Sequence, residues 1–138
     1  MAGQNIIRGK RILLADDESG VRGAFHMMLE IDEHSVTEAK DGAEALDLFE
    51  KGEFDLVISD FEMPVMKGNE LAIRIKRLAP AQPILMITAY GKELGDSENP
   101  VDAILNKPFL LDDLRQAISK LLPKWNQAAL KQARSVRR

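Results

Sequence analysis

The sequence contains no cysteine, which excludes disulfide scaffolds, Cys-ligated zinc sites and thiol catalysis. Aromatic residues are scarce, at 5% of the chain. No apolar run approaches the roughly 20 residues that a membrane helix needs. The polar segment 1–10 also lacks the apolar stretch of a signal peptide. We therefore expect a cytoplasmic protein that does not enter a membrane.

Acidic residues are missing from segment 124–138, which carries five Lys and Arg residues. With a net charge of −3 overall and +5 in this segment, residues 1–123 carry −8. An acidic body disfavours direct binding of nucleic acid. We expect an N-terminal extension at 1–9, a single domain at 10–123 and a basic tail or linker at 124–138.

Short apolar runs alternate with longer amphipathic stretches along residues 11–122. The runs predict strands at 11–15, 35–39, 54–59, 83–88 and 101–105, and the stretches predict helices at 19–30, 42–51, 69–79 and 110–122. This alternation predicts an α/β fold, a doubly wound parallel sheet of five strands with helices on both faces. Segment 91–100 has two glycines and a proline, so we expect a short or irregular fourth helix there.

Two details of the helices follow from the same pattern. Ser19 resembles an N-cap for the first helix, whose inward face includes Val21 and Phe25. In the third predicted helix, Leu71, Ile75 and Leu78 share the inward face.

Polar residues follow the predicted strands at the points where each strand ends. Asp16 and Asp17 follow the first, Asp60 the third, Thr88 the fourth and Lys107 the fifth. These points converge at one edge of a parallel sheet. Three close carboxylates repel one another, and a hard divalent cation such as Mg²⁺ balances them. An aspartate nucleophile, a metal, an ammonium and a hydroxyl are what phosphoryl transfer to a carboxylate requires. Asp60 is the candidate nucleophile.

Four stretches carry a family resemblance: ILLADDE (12–18), FDLVISDFEMPVMKG (54–68), ILMITAYG (84–91) and NKPF (106–109). In this order they resemble bacterial response-regulator receiver domains, the CheY-like family, over about residues 8–122. The resemblance implies a flavodoxin-like strand order 2-1-3-4-5. It also implies a two-component phosphorelay protein rather than an enzyme. Such a protein receives a phosphoryl group on Asp60 from a histidine kinase or histidine phosphotransfer protein, switches an interaction surface for a downstream protein, and slowly loses the group.

The resemblance also implies roles for individual residues. Side chains of Asp17 and Asp60 ligate Mg²⁺ (or Mn²⁺), Glu62 does so through its backbone carbonyl, and Asp16 holds a metal-bound water. Thr88 and Lys107 contact the phosphoryl group, Tyr90 and Glu62 modulate its lifetime, and the Lys107–Pro108 peptide is expected to be cis.

Two positions depart from the family pattern. Ile104 stands where the family usually has Tyr or Phe, so the usual relay from threonine to aromatic ring is altered. Only 19 positions separate Thr88 from Lys107, a few fewer than is typical, and the shortfall lies in segment 91–100. We hypothesise that the output surface is modified and involves the first or the last helix.

Three other functions compete with this interpretation. A haloacid-dehalogenase-like phosphatase also uses an aspartyl nucleophile and Mg²⁺, but it needs a DxD pair near its N-terminus, whereas Asp16 and Asp17 are adjacent. A flavodoxin-like electron carrier needs a phosphate-binding loop after the first strand, and the acidic ADDESG loop repels phosphate. Binding of nucleic acid by the basic tail lacks a recognisable module. Whether the chain acts alone or as part of a larger protein stays open.

Overall fold

The computed structural model describes residues 6–89 and 100–122. The predicted irregular helix at 91–100 lies outside these residues, except for residue 100. Nine elements follow in chain order: β1 (Arg11–Ala15), α1 (Ser19–Ile31), β2 (Ser35–Ala39), α2 (Gly42–Lys51), β3 (Leu56–Asp60), α3 (Gly68–Leu78), β4 (Ile84–Thr88), β5 (Ala103–Asn106) and α4 (Leu111–Leu121). Within the described ranges, no helix is long and apolar enough to cross a membrane.

The five strands form one parallel sheet in the order β2-β1-β3-β4-β5, which confirms the expected topology. All five residues of β3 and of β4 are buried, and four of the five in β1 are buried too. Such strands read as continuous apolar runs because a parallel sheet is covered on both faces.

Two hydrophobic clusters cover the two faces of the sheet. Ile12 and Leu14 of β1 belong to the cluster that α1 and α4 complete, whereas Leu13 and Ala15 belong to the cluster that α2 and α3 complete. Alternate side chains of one strand therefore enter opposite cores, as the period of two requires. Helices on both faces were predicted, and the two clusters confirm them.

A partly buried ion pair joins the end of α1 to α4. Nε and Nη2 of Arg115 donate to the two carboxylate oxygens of Asp32, both at 2.9 Å, across 83 positions of sequence. The Asp32 side chain is 6% exposed. A two-point contact of this kind is stronger than a single neutral hydrogen bond and fixes orientation as well as distance.

Three helix details differ from the sequence-based expectations. Ser19 is the first residue of α1, and the N-cap is Glu18, whose side chain makes no capping hydrogen bond. Leu78 is 54% exposed and Val21 is 38% exposed. Both lie in terminal turns, at the end of α3 and the start of α1 respectively. Helical periodicity gives the face on which a residue lies, but burial also needs an opposing element, which a terminal turn can lack.

Candidate functional site

Three carboxylates meet at the carboxyl edge of the sheet. Because β1 and β3 are adjacent and parallel, Asp16 and Asp17 at the end of β1 lie beside Asp60 at the end of β3. One ligand atom from each of the three lies within 4.8 Å of the others. Asp16 and Asp60 are 2% and 9% exposed, and Asp17 is open to solvent. The predicted cluster is therefore present, with one accessible side.

Lys107 brings a positive charge to this cluster. Its Nζ lies 3.3 Å from Oδ1 of Asp60. Its backbone N–H donates to the carbonyl of Thr88 at 2.9 Å, which anchors the residue to the end of β4. The Lys107–Pro108 peptide is cis, as expected. Phe109 then packs its ring on Phe25 of α1, with ring centroids 5.2 Å apart.

Burial and mutual repulsion shift the pKa values of the carboxyl groups in the site. Burial raises the pKa of Asp60, and the charge of Asp16 raises it further, while Lys107 opposes both. Burial likewise raises the pKa of Asp16, against the N–H of Glu18 and the charge of Lys107. Glu18 N donates to Oδ1 of Asp16 at 3.0 Å. The site therefore holds more negative charge than its own lysine balances.

This donor set fits a hard divalent cation. Carboxylate oxygens are the ligands that Mg²⁺ prefers, and Mg²⁺ usually keeps several waters and takes only one or two carboxylates. Asp17 and Asp60 offer those carboxylates on the accessible side, and buried Asp16 lies behind them. A bound cation would also offset the burial of these carboxylates and their mutual repulsion, which together raise the two pKa values.

The loop between β3 and α3 turns the chain sharply beside Asp60. Phe61 N–H donates to the carbonyl of Ile87 at 2.9 Å, and Gly68 N–H donates to the carbonyl of Phe61 at 2.9 Å. Gly68 packs so closely on the Asp60 carbonyl that a Cβ there would clash with it. Val65 has φ 72°, and Met66 N–H donates to the Pro64 carbonyl at 2.7 Å, so Val65 is the centre of a strained γ-turn.

The remaining predicted site residues are not members of the three-carboxylate cluster. Thr88 is 1% exposed at the end of β4. Glu62 is exposed, with its carboxylate 3.9 Å from Nζ of Lys67. Ile104 is 40% exposed and lines a groove of about 340 Å³ with Phe109 and α4. Tyr90 lies outside the described residues.

One contact to the site was not predicted from the sequence. Nη1 of Arg22, in α1, donates to the backbone carbonyl of Asp16 at 2.8 Å. Its Nε donates to Oε1 of Glu38, in β2, at 2.8 Å. An arginine on an amphipathic helix carries no sequence signal of such a role, because its target is a backbone atom.

The model of the response regulator receiver domain matches residues 12–119. The chain belongs to the response regulator receiver family. The receiver protein CpdR of Brucella abortus is 39% identical over 116 residues, which cover 82% of this chain and 97% of that protein. Membership explains the ordered strand-end residues and does not favour the phosphatase alternative.

Solved structures agree with the receiver assignment. The response regulator TrrA of Thermotoga maritima, in complex with Mg²⁺ and BeF, has a TM-score of 0.78 and 36% identity, covering 82% of this chain and 99% of that one. TrrA in complex with the histidine kinase ThkA gives a TM-score of 0.76, with 82% of this chain and 98% of that one covered. The chain is thus a receiver domain of two-component response regulators.

Proposed function

We propose that Asp60 is the phosphoryl acceptor of this receiver domain and that a phosphohistidine on a sensor kinase or phosphotransfer protein is the donor. The observation that carries this proposal is the placement of Asp60. Its carboxylate lies 3.3 Å from the ammonium of Lys107 and within 4.8 Å of the carboxylate atoms of Asp16 and Asp17. The nucleophile thus lies beside an ammonium that can bind the negative charge of the transferred group, and beside two carboxylates that could hold a divalent cation with the same effect.

Phosphoryl transfer from the histidine to Asp60 needs no further reactant. A carboxylate oxygen of Asp60 forms a bond to phosphorus, the P–N bond to the donor imidazole breaks, and its electron pair stays on the imidazole nitrogen. Lys107 binds the charge on the phosphoryl oxygens and Thr88 offers them its hydroxyl. A bound Mg²⁺ would neutralise further charge on these oxygens.

Asp17 and Asp60 would hold this Mg²⁺ (or Mn²⁺) through their side chains, and Glu62 through its backbone carbonyl, with Asp16 holding a metal-bound water. The raised pKa values of Asp16 and Asp60 support a cation at this place. The TrrA complex with Mg²⁺ and BeF supports it as well. We place the receiver domain at 10–123, between the extension 1–9 and the tail 124–138.

A surface beside the acceptor suits the donor protein. A largely apolar hollow of about 330 Å³ lies between α1 and the Lys107 loop, lined by Val21, Ala24, Met28 and Pro108 among others. A helical phosphotransfer partner would bury its apolar surface here while presenting its histidine to Asp60. The complex of TrrA with the histidine kinase ThkA supports a kinase partner.

The acyl phosphate is expected to decay slowly by hydrolysis, which regenerates Asp60 and releases inorganic phosphate. Glu62 places an exposed carboxylate two positions after the acceptor. Tyr90 stands two positions after Thr88 and would shield the group from water. These two residues are proposed to modulate its lifetime.

The output surface is proposed to involve α1 or α4 rather than an aromatic relay at Ile104. An aliphatic side chain that is 40% exposed provides neither a phenol nor a ring flip. Hydrogen exchange with and without BeF tests this idea. Protection changes are expected in α1 or α4, and strong changes confined to 91–107 would contradict it.

Intact-mass analysis after incubation with Mg²⁺ and acetyl phosphate tests the acceptor assignment. Wild type is expected to gain one phosphoryl group, and Asp60→Asn none. Asp55→Asn is the matched control, since Asp55 pairs with Arg11 at the opposite end of the strands and should leave phosphorylation intact. An equal increase in the mass of Asp60→Asn would contradict the assignment of Asp60 as the acceptor.

A further inference from the structure

The backbone of Asp16 is held on both sides of its Cα. Its N–H donates to the carbonyl of Ala39 in β2 at 3.1 Å. Its carbonyl accepts from Nη1 of Arg22 in α1 at 2.8 Å. Both contacts lie directly behind the carboxylate cluster and fix the backbone from which Asp16 and Asp17 project.

The Arg22 guanidinium is itself held in place. Its Nε donates to Oε1 of Glu38 at 2.8 Å, and the Arg22 and Glu38 side chains are 17% and 32% exposed. The second carboxylate oxygen of Glu38 lies 2.5 Å from Nδ1 of His26. A chain of contacts thus runs from His26 through Glu38 and Arg22 to the Asp16 carbonyl.

His26 lies between two carboxylates. Nδ1 faces Glu38 of β2 and Nε2 lies 3.0 Å from Glu30 of α1, while Arg22 is the cation on the far side of Glu38. Both ring nitrogens donate only in the protonated imidazole. Deprotonation leaves one nitrogen lone pair facing a carboxylate oxygen, so one of the two contacts is lost.

We propose that Arg22 is a positioning residue for the acidic site and that His26, acting through Glu38, makes this positioning depend on pH. The inference rests on the proposed function, because it concerns how well the same site takes up Mg²⁺. Outer residues that orient metal ligands typically contribute about 10- to 100-fold in metal affinity. Arg22 contacts the backbone of Asp16, which would hold a metal-bound water and directly precedes the proposed ligand Asp17, so the lower end of that range is expected.

The charge balance gives the direction of the pH effect. The hydrogen bond to Glu38, assisted by Glu30, raises the pKa of His26, although burial acts against it. The protonated form therefore persists above the usual range of histidine and keeps Glu38 fixed. Loss of that proton removes the positive charge beside Glu38 and leaves a single ring N–H for Glu38 and Glu30. Glu38 then anchors Arg22 less firmly, which weakens the binding of Mg²⁺ at the alkaline end.

Two measurements on the unphosphorylated protein test the inference. The first is the ¹⁵N-edited amide shift of Asp17, whose peptide group contains the Asp16 carbonyl. The second is the Mg²⁺ dissociation constant from calorimetry at several values between about pH 6 and about pH 9, where histidine titrates. Wild type is compared with Arg22→Gln, Arg22→Lys and His26→Gln. The control is Arg74→Gln, whose guanidinium pairs with Glu70 on the exposed face of α3.

Arg22→Gln is expected to weaken Mg²⁺ binding about tenfold and to shift the Asp17 amide. Arg22→Lys should restore part of the loss, and Arg74→Gln should change nothing. From the acid to the alkaline end of this range, the Mg²⁺ dissociation constant of wild type should rise by a factor about threefold larger than that of His26→Gln. If Arg22→Gln fails to fold, Glu38→Gln replaces it, with the same expected direction.

The positioning role would be overturned if Arg22→Gln bound Mg²⁺ as tightly as wild type and its Asp17 amide chemical shift were unchanged. An identical pH trend in wild type and His26→Gln would overturn the role of His26. Neither result depends on phosphorylation, so a failure of Asp60 to accept a phosphoryl group would be recognised separately by intact mass.

Discussion

Lys107 and Asp60 are in contact across an intervening strand. Lys107 directly follows β5 and Asp60 is the last residue of β3, with β4 between them, yet Nζ of Lys107 lies 3.3 Å from Oδ1 of Asp60. The long lysine side chain spans this gap, and the Lys107 N–H bond to Thr88 sets its starting point. The three residues therefore form one unit whose geometry depends on the register of three strands.

Lys107→Met tests the charge at this point, because Met fills a similar volume without an ammonium. Phosphorylation of Asp60 by acetyl phosphate should slow by about 100- to 1,000-fold, since one preorganised charge that stabilises the transition state is lost. The rate is measured by intact mass over time. Lys120→Met, at an exposed position of α4, is the control, and an unchanged rate in Lys107→Met would contradict the assigned role.

Asp60→Asn should stabilise the protein in the absence of Mg²⁺. Burial and the charge of Asp16 raise the pKa of Asp60, although Lys107 opposes them, so the charged carboxylate is disfavoured in the folded state. Removal of this charge is expected to add about 1–2 kcal/mol to the free energy of unfolding. Wild type should instead gain about 2.7 kcal/mol at Mg²⁺ a hundredfold above its dissociation constant. Urea unfolding with Mg²⁺ and with EDTA measures both effects. A destabilised Asp60→Asn would show that the cluster is not repulsive.

Gly68→Ala should destabilise the domain by about 1–3 kcal/mol, the scale of core overpacking. The new Cβ would lie against the Asp60 carbonyl and 2.8 Å from Sδ of Met86. Gly23→Ala is the matched control, because its Cβ would meet nothing within 4 Å in the middle of α1. It should stabilise by about 0.5–1 kcal/mol. Equal effects from the two substitutions would refute the packing argument.

His34 should make the protein sensitive to mild acid. Nδ1 accepts the N–H of Lys10 at 3.0 Å, and buried Nε2 has no hydrogen-bond partner within 6–89 and 100–122. Burial lowers the pKa of His34, so the unfolded chain binds the proton more readily. The stability it contributes is therefore complete above the unfolded pKa of about 6.5 and is lost as the pH falls below it.

His34→Asn keeps an acceptor for the Lys10 N–H and removes the titration. Urea unfolding between about pH 5 and about pH 6.5 should show a shallower dependence on pH than wild type, whatever its absolute stability. His26 is the internal contrast, because its raised pKa gives stability that is lost as the pH rises. A steeper dependence in His34→Asn would contradict this account.

The layout of the sheet was predictable from the sequence because each strand is a short apolar run with a polar residue at its end. The predicted strand at 54–59 begins two residues early and stops one before Asp60. Apolar content does not reveal where ladder hydrogen bonds start, and a carboxylate that ends a buried strand resembles a loop residue in sequence.

Backbone geometry at Val65 was not predictable. A β-branched residue at φ 72° contradicts local preference. The flanking Met63 and Met66 are both buried, and Met66 packs against Gly42 of α2. Tertiary packing on both sides imposes the conformation. The Arg22 contact escaped prediction for a related reason, since it depends on how α1 lies over β2.

The pairing of Asp32 with Arg115 has a consequence for the nascent chain. At about 5–20 residues per second, the ribosome needs about 4 to 17 s to add the 83 positions between them. β1 and α1 are synthesised before this interval begins, but Asp32 lacks its guanidinium and Ile12 and Leu14 lack the cover of α4 until it ends. The apolar face of β1 and α1 therefore stays uncovered, and accessible to chaperones, until α4 leaves the exit tunnel.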